Sequence, residues 1–365
     1  PYASNKAIYD AAALAYLLST TVGIDGSTGT HKDGVTINDS DADLKLWLTS
    51  NQVTSISATP ISKSVNIDNQ TYEISNGRDG VDGITSADYI GDENTSTGIY
   101  AMSNPDAYTI DLFEIPGMTD TDVLQSAVKM VSDRGDSFLI ADVPFGLRPQ
   151  DAVDWTNGQG TWSGKHEAFD TSFMAFYAPW AQIRDTYTGK LIWLPPTSVV
   201  APRYAYTDSV GGPWLAPAGA DRGKISGIIQ LEYTPTLGER DLMYGNRNVI
   251  NPIVNMGVTG TIINGQKTAQ RQPTALDRIN VRRLVNYIQR IVQQATQYFV
   301  FEPNDSTTWT RWQTVIEPKL EALKSSEAIS AYKIEMDDQT VNTDDLENGR
   351  MPGLLAIKPI KSAEF

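Results

Sequence analysis

His31 and His166 are the only histidines in the chain, one beside a polar loop and the other between Lys165 and Glu167. A histidine-based triad or a two-histidine metal site would need both, drawn from distant contexts. Asp39, Asp41 and Asp43 begin like a calcium loop. Leu44, however, stands where the sharp-turn glycine belongs, and Ser50 where the bidentate glutamate belongs. A helix start before Leu44-Lys45-Leu46-Trp47 accounts for those acids better. Asp337, Asp338, Asp344, Asp345 and Glu347 form a second acidic stretch that reads as a solvated loop. There is no Gly-x-Ser-x-Gly elbow and no phosphate loop. A pair of carboxylates for glycoside hydrolysis is compatible with the sequence, because such pairs meet only in the fold. The eight tryptophans could line a sugar groove, although core packing is their commoner use. No catalytic residue, metal ligand or cofactor site is expected. What remains is one helix that carries Arg278, Arg282, Arg283 and Arg290 in an otherwise acidic chain.

The composition bounds what these residues can serve. At 365 residues and 40% hydrophobic, the chain can form one large domain or two to three ordinary ones. It has no cysteine, so it needs neither disulfides nor thiol-ligated metal and suits a reducing cytoplasm. No stretch approaches ~18 uninterrupted apolar residues, so no transmembrane segment is expected. Lys and Arg number 29 against 44 Asp and Glu, a formal charge of −15, which argues against bulk attraction to nucleic acid. The sequence opens Pro1-Tyr2 without an initiator Met or a signal pattern, and so reads as a trimmed piece of a longer product.

The arginines need a helix to hold them. Val281, Leu284, Val285, Ile288 and Val292 recur at spacings of three and four, with Asp277 as the expected N-cap. That stripe predicts a helix of about six turns ending at Glu302, where Pro303 imposes extended geometry. Asn304 or Asp305 should cap the next helix, which carries Trp309, Trp312, Val315 and Ile316. Upstream, Ala107 to Ile115 reads as a strand closed by Pro116-Gly117. Thr119 or Asp120 then starts a helix with Val123, Ala127, Met130 and Val131 inside, and Phe138 to Asp142 is a strand buried on both faces. Strand, helix, strand at this spacing is a β-α-β unit and implies a largely parallel or mixed sheet covered by helices. Met174 to Trp180 and Leu354 to Ile360 are further strands. In the first eighty residues, Ser4 to Ser19 is an expected helix. Beyond Gly23, short β-prone runs such as Val65 to Ile67 and Tyr72 to Ile74 alternate with turn residues. The expectation is a multi-domain α/β protein of mixed α+β character. It comprises a β-rich variable domain with an N-terminal helix at 1–82, an α/β region at 83–260, and a C-terminal domain at 261–365.

Several strings extend this reading. Arg278-Ile279-Asn280-Val281-Arg282-Arg283-Leu284, Phe299-Val300-Phe301-Glu302-Pro303-Asn304-Asp305 and Trp309 resemble the C-terminal domain of tail sheath proteins from contractile-tailed bacteriophages. In the same order, Gly98 to Met102, Asp106 to Gly117, Pro179-Trp180, Trp193 to Ser198, Val200 to Arg203, Asp208, Gly212 to Gly219 and Arg222 to Ile225 match the family's succession. Pro202 departs from a usual glycine, the family's "GIN" turn survives only as Val249-Ile250-Asn251-Pro252, and its "G.R" strand is weakened to Gly257 to Thr261. The resemblance covers roughly Val81 to Phe365.

The resemblance implies a structural subunit without enzymatic activity. Copies would polymerise around a tail tube and contract to drive it through the host envelope, in the virion tail after synthesis in the host cytoplasm. Implied partners are other sheath subunits, the tail tube protein, the baseplate and the tail terminator. Chain termini would add strands to neighbouring sheets. Ala363-Glu364-Phe365 matches the family's "AEF" before its last arm, so the chain as given should polymerise poorly by itself. The inserted N-terminal domain favours a large, giant-type phage, and a bacteriocin or secretion-system sheath would share the same patterns. For Arg278, Arg282, Arg283 and Arg290 two roles stay open. One is a strip of all four against the tube or a neighbouring subunit, at ~0–1 kcal/mol per exposed contact; the other is internal pairing of Arg282 and Arg283 with Asp or Glu. The alternative function from another class is a carbohydrate-binding or glycoside-hydrolysing protein, which requires a cleft with two facing carboxylates.

Overall fold

The structure, a computed structural model, describes residues 83–159, 167–245, 247–338 and 340–364, together with the backbone of four short strands upstream. The chain divides into two compact units, Pro1–Thr85 and Ser86–Phe365. In the first unit, β1 (Thr28–Thr30) pairs antiparallel with β2 (Thr36–Asn38), and β3 (Lys63–Ile67) with β4 (Gln70–Ile74). The helix expected at Ser4 to Ser19, His31 and the Asp39–Asp43 run lie outside the described residues, as does His166.

The second unit opens with the short α1 (Ser86–Ile90) and is organised around a β-α-β unit. β5 (Leu112–Glu114) runs into α2 (Thr121–Arg134) and then β6 (Phe138–Asp142), which lies parallel to β5. Asp120 caps α2 by accepting from the N–H groups of Asp122 and Val123, and Gly135 ends it at φ 73°, a conformation that favours glycine. Val123, Ala127, Met130 and Val131 face inward as the periodicity requires. β5 is much shorter than the strand expected from Ala107 to Ile115. Arg134 explains why: its guanidinium donates to the carbonyls of Met102 and Tyr108, so this segment is held as a loop over the end of α2.

From β6 the chain passes through α3 (Pro149–Thr156) to β7 (Met174–Ala178), which ends at a cis Ala178-Pro179 bond. β8 (Ala181–Arg184) and β9 (Leu191–Leu194) lead to α4 (Pro196–Val210) and α5 (Gly219–Arg222). β10 (Lys224–Ile225), β11 (Gln230–Leu231) and α6 (Leu237–Tyr244) precede β12 (Ile250–Asn255) and β13 (Thr261–Ile263). Val249 to Pro252 therefore sits largely in a strand and not a turn. The main sheet has the order β10-β13-β12-β7-β6-β5, and β8 forms a second sheet between β11 and β9. β5, β6, β7 and β12 are parallel, while β13 and β10 add antiparallel strands. This is the mixed α/β architecture expected.

The four parallel strands are laid down in sequence order. Successive crossovers of one hand then place their helices on one face. Residues of α2, α3 and α6 accordingly pack with Leu139, Ala141, Met174, Phe176 and Ile250 in one apolar cluster. The alternate residues Phe138, Ile140, Ala175, Tyr177 and Ile253 point the other way and need a second cover. Val200 and Tyr204 of α4 supply it, with Ile279 at the start of α7 (Ile279–Thr296).

α8 (Ser306–Ser325), β14 (Ile329–Glu335), α9 (Thr343–Glu347) and β15 (Leu354–Pro359) complete the chain. Their apolar cluster joins Leu284 and Ile288 of α7 to Trp309, Trp312 and Ile316 of α8. Asp305 caps α8 as expected, accepting from the N–H of Thr308. Asp277 does not cap α7; Arg278 occupies that position, while the Asp277 carbonyl accepts from Thr268 and its carboxylate pairs with Arg278. α7 also stops at Thr296, short of Glu302, because a tighter turn at Gln297–Phe299 and Phe301 at φ 72° redirect the chain before Pro303.

Glu114, at the end of β5, has a buried Oε2 without a partner; burial first and nearby Asp142 second raise its pKa. A raised carboxylate pKa gives stability that is full below the ordinary range and is lost as pH rises through the folded value. Ionised Glu114 is thus a cost at neutral pH. Glu114→Gln should be more stable than wild type at about pH 7 and indistinguishable from it near pH 4, read as urea midpoints at both values.

Candidate functional site

β14 and β15 pair only with each other, in an antiparallel register with a bulge near Ile329. Among the described residues both outer edges of this hairpin are unpaired, which leaves main-chain donors and acceptors open to another strand. Leu355 and Ile357 alternate inward along β15 and lie against α7. With Val285, Ile288, Val292 and Val300 they line an open groove of about 670 Å³. Val300, which lines it, is 57% exposed, and Gln289, Gln293 and Gln297 add polar groups to the lining. The α7 stripe thus serves two tasks. Leu284 and Ile288 bury themselves in the α8 core, and Val285 and Val292 stay partly open beneath the hairpin.

The sequence singled out the four arginines but not this groove. A signal was present in the alternation of Leu354 to Pro359, which marks a half-buried strand without showing that its edges stay unpaired.

The arginines take four different environments. Arg278 donates to Glu364 at 2.6 Å and pairs with Asp277 at 3.0 Å. Glu364 also accepts from Gln266 and Tyr244, so the segment after β15 is tied to the start of α7. Arg283 is buried and grips Asp208 of α4 through both terminal nitrogens, at 2.8 and 2.6 Å. Its guanidinium also lies over the ring of Tyr204, whose hydroxyl shares a 2.6 Å hydrogen bond with Tyr177. Arg290 pairs with Asp111 at 2.5 Å and donates to the carbonyls of Ile110 and Asp136. Arg282 is buried over the ring of Phe173, 3.6 Å from its centroid. Of Arg282 and Arg283, for which the sequence allowed internal pairing, only Arg283 faces a carboxylate among the described residues; Arg278 and Arg290 are paired internally as well.

The remaining polar groups are structural in their contacts. Asp142 is wholly buried, accepting from the N–H and hydroxyl of Thr197 and from the N–H of Gly117. It joins the end of β6 to the first turn of α4, and burial raises its pKa despite these donors. Asp142 and Glu114 are close enough to influence each other, yet Asp142 has no solvent face to offer a substrate. In the acidic stretch, Asp344 and Asp345 belong to α9 and pair with Arg350. Among the described residues, no group of three or more His, Asp or Glu is placed to hold a metal ion. No described helix is long and apolar enough to cross a membrane.

This fold is similar to those of solved contractile sheath proteins. The helical sheath of the anti-feeding prophage in its contracted state superposes with a TM-score of 0.58 at 25% identity, over 75% of this chain and 74% of that one. Residues 271–365 match the phage tail sheath C-terminal domain. The tail sheath protein of Vibrio phage KVP40 is 30% identical over 213 residues, which are 58% of this chain and 31% of that protein. That of Enterobacteria phage T4 is 26% identical over 226 residues, 62% of this chain and 34% of that protein. The chain thus spans about one third of the length of these curated relatives. Over the matched residues it is similar to these phage tail sheath proteins, and its residues 271–365 match their C-terminal domain. These relatives lend nothing to the carbohydrate reading.

The Arg283–Asp208 pair makes the asymmetry of a half-buried ion pair measurable. Arg283 is 3% exposed at its side chain and Asp208 30%. Asp208→Ala strands the guanidinium in the core and should cost about 3–5 kcal/mol. Arg283→Met leaves a carboxylate that can rehydrate and should cost clearly less. Urea denaturation of the two variants gives the order.

Proposed function

We propose that this chain is a structural subunit of a contractile tail sheath and not an enzyme. Many copies would enclose a tail tube and, on contraction, drive it through the host envelope. Its place is the virion tail, with the tube protein, baseplate and tail terminator as further partners. The observation that carries this reading is the open β14–β15 hairpin above an apolar groove, within a segment that matches the sheath C-terminal domain. An unpaired hairpin with an apolar underside is suited to accept a strand from another copy, its main chain supplying affinity and its alternate side chains supplying register. The 1–82, 83–260 and 261–365 division fits this role if the last part carries the connections and the first varies among sheaths.

The test is electron microscopy of the protein expressed from its complete reading frame, with any flanking residues that frame encodes. Wild type should form hollow tubes. Val300→Glu changes an exposed position of the groove and Leu354→Glu an exposed position on the outer face of β15, so the isolated chain should keep its stability within about 0.5 kcal/mol. Tube formation should nevertheless be lost in both. Discrete particles from wild type, or normal tubes from both variants, would reject the assignment.

A further inference from the structure

Three arginines of the second unit are buried: Arg134, Arg282 and Arg283. Two of them face a carboxylate, Arg134 with Asp136 at 2.9 Å and Arg283 with Asp208 at 2.6 Å. Arg282 faces none. It is 7% exposed, its Nε is occluded without a partner, and its guanidinium forms no hydrogen bond or ion pair among the described residues. The ring of Phe173 is its one polarisable contact. Burial alone pushes its pKa down to about 10, with no neighbouring charge acting against that shift.

A cation in this position is expensive in the isolated chain, because the face of an aromatic ring returns only part of the lost hydration. Its neighbours along the helix show how the same problem is solved elsewhere. Arg282, Asn286 and Arg290 stand four residues apart on one side of α7. Asn286 donates to the carbonyl of Ser137, just before β6, and Arg290 to carbonyls just before β5 and β6. Arg282 reaches Phe173, just before β7, and finds no acceptor there. The fork is held in place by its stack on Phe173, so a docking carboxylate would meet a pre-oriented donor.

We infer that Arg282 is an assembly contact, and that its missing anion is a carboxylate presented by a neighbouring copy of this chain. A second copy is the favoured source because each chain carries 44 acidic residues against 29 basic ones. The same net charge of −15 works against a phosphate-rich partner. This inference rests on the assembly reading above and names a contact within it, separate from the hairpin groove.

The sign of one substitution separates a docking cation from a packing one. In the isolated chain, Arg282→Met removes an uncompensated buried charge and keeps an unbranched side chain over Phe173. Its melting temperature should rise by about 2 °C. In the protein from the complete reading frame, the same variant should raise the concentration needed for tube formation by at least about tenfold. A melting temperature below wild type would make Arg282 a structural cation–π contact and overturn the inference. Normal tubes from Arg282→Met would overturn it as well while leaving the sheath assignment intact. Failure of wild type itself to form tubes would instead remove the assembly reading on which the inference rests.

Discussion

α7 crosses the starts of three parallel strands, and the rest of the second unit depends on that contact. One side of the helix presents Arg282, Asn286 and Arg290 to Phe173, Ser137 and the Ile110–Asp111 turn in succession. Its other side carries Leu284 and Ile288 into the cluster that holds α8 and the hairpin. Two apolar cores thus share one rigid element. Each fully buried aliphatic side chain there contributes about 1.5–3 kcal/mol, so the apolar side dominates the energy. The polar side fixes where along the sheet the helix sits, because Asn286 and Arg290 meet carbonyl acceptors at the starts of β5 and β6.

The sheet order explains why this helix, together with α4, is required at all. Strands added in sequence order with crossovers of one hand leave a whole face bare. Tyr177 and Ile253 on that face would otherwise meet water. α4 is held over it by Asp142 at its start and by Arg283 near its end, through Asp208. Both anchors are charges placed in poor solvent, and burial raises the pKa of Asp142 accordingly. Good hydrogen bonding offsets that cost: Asp142 has three donors, and Arg283 has a two-point carboxylate contact.

Elements governed by local spacing were legible in the sequence. The Asp120 cap, the inner face of α2, the doubly buried β6, the Asp305 cap and the β15 strand all follow from contacts within a few residues. Where distant residues decided the outcome, local rules misplaced boundaries. Arg134 holds the segment before β5 as a loop from more than twenty residues away in sequence. The Asp277 carboxylate is taken by Arg278, so the expected cap is lost to an ion pair. The candidate site was legible only in part. The arginines could be named from their helix, but the partners that distinguish them could not. Asp208 and Glu364 lie 75 and 86 residues from the arginines they bind, and no spacing rule links such positions. The groove was hidden for a related reason: Val285 and Val292 fit the stripe as well as Leu284 does, and only the position of the hairpin leaves them partly open.

The net charge of −15 bears directly on how such a chain could gather in many copies. Like-charged subunits repel at long range, so association must rest on short contacts strong enough to overcome that field. An open hairpin edge provides main-chain hydrogen bonds, which are insensitive to net charge, and the groove beneath it provides apolar area. A buried arginine without a carboxylate would provide the third kind of contact, one whose strength depends on excluding water and not on surface Coulomb attraction. Salt screens the long-range repulsion within about 10 Å while leaving a desolvated contact nearly untouched. In an acidic subunit, rising ionic strength therefore favours association through these contacts. A complex held by exposed ion pairs between opposite surfaces would respond in the opposite direction.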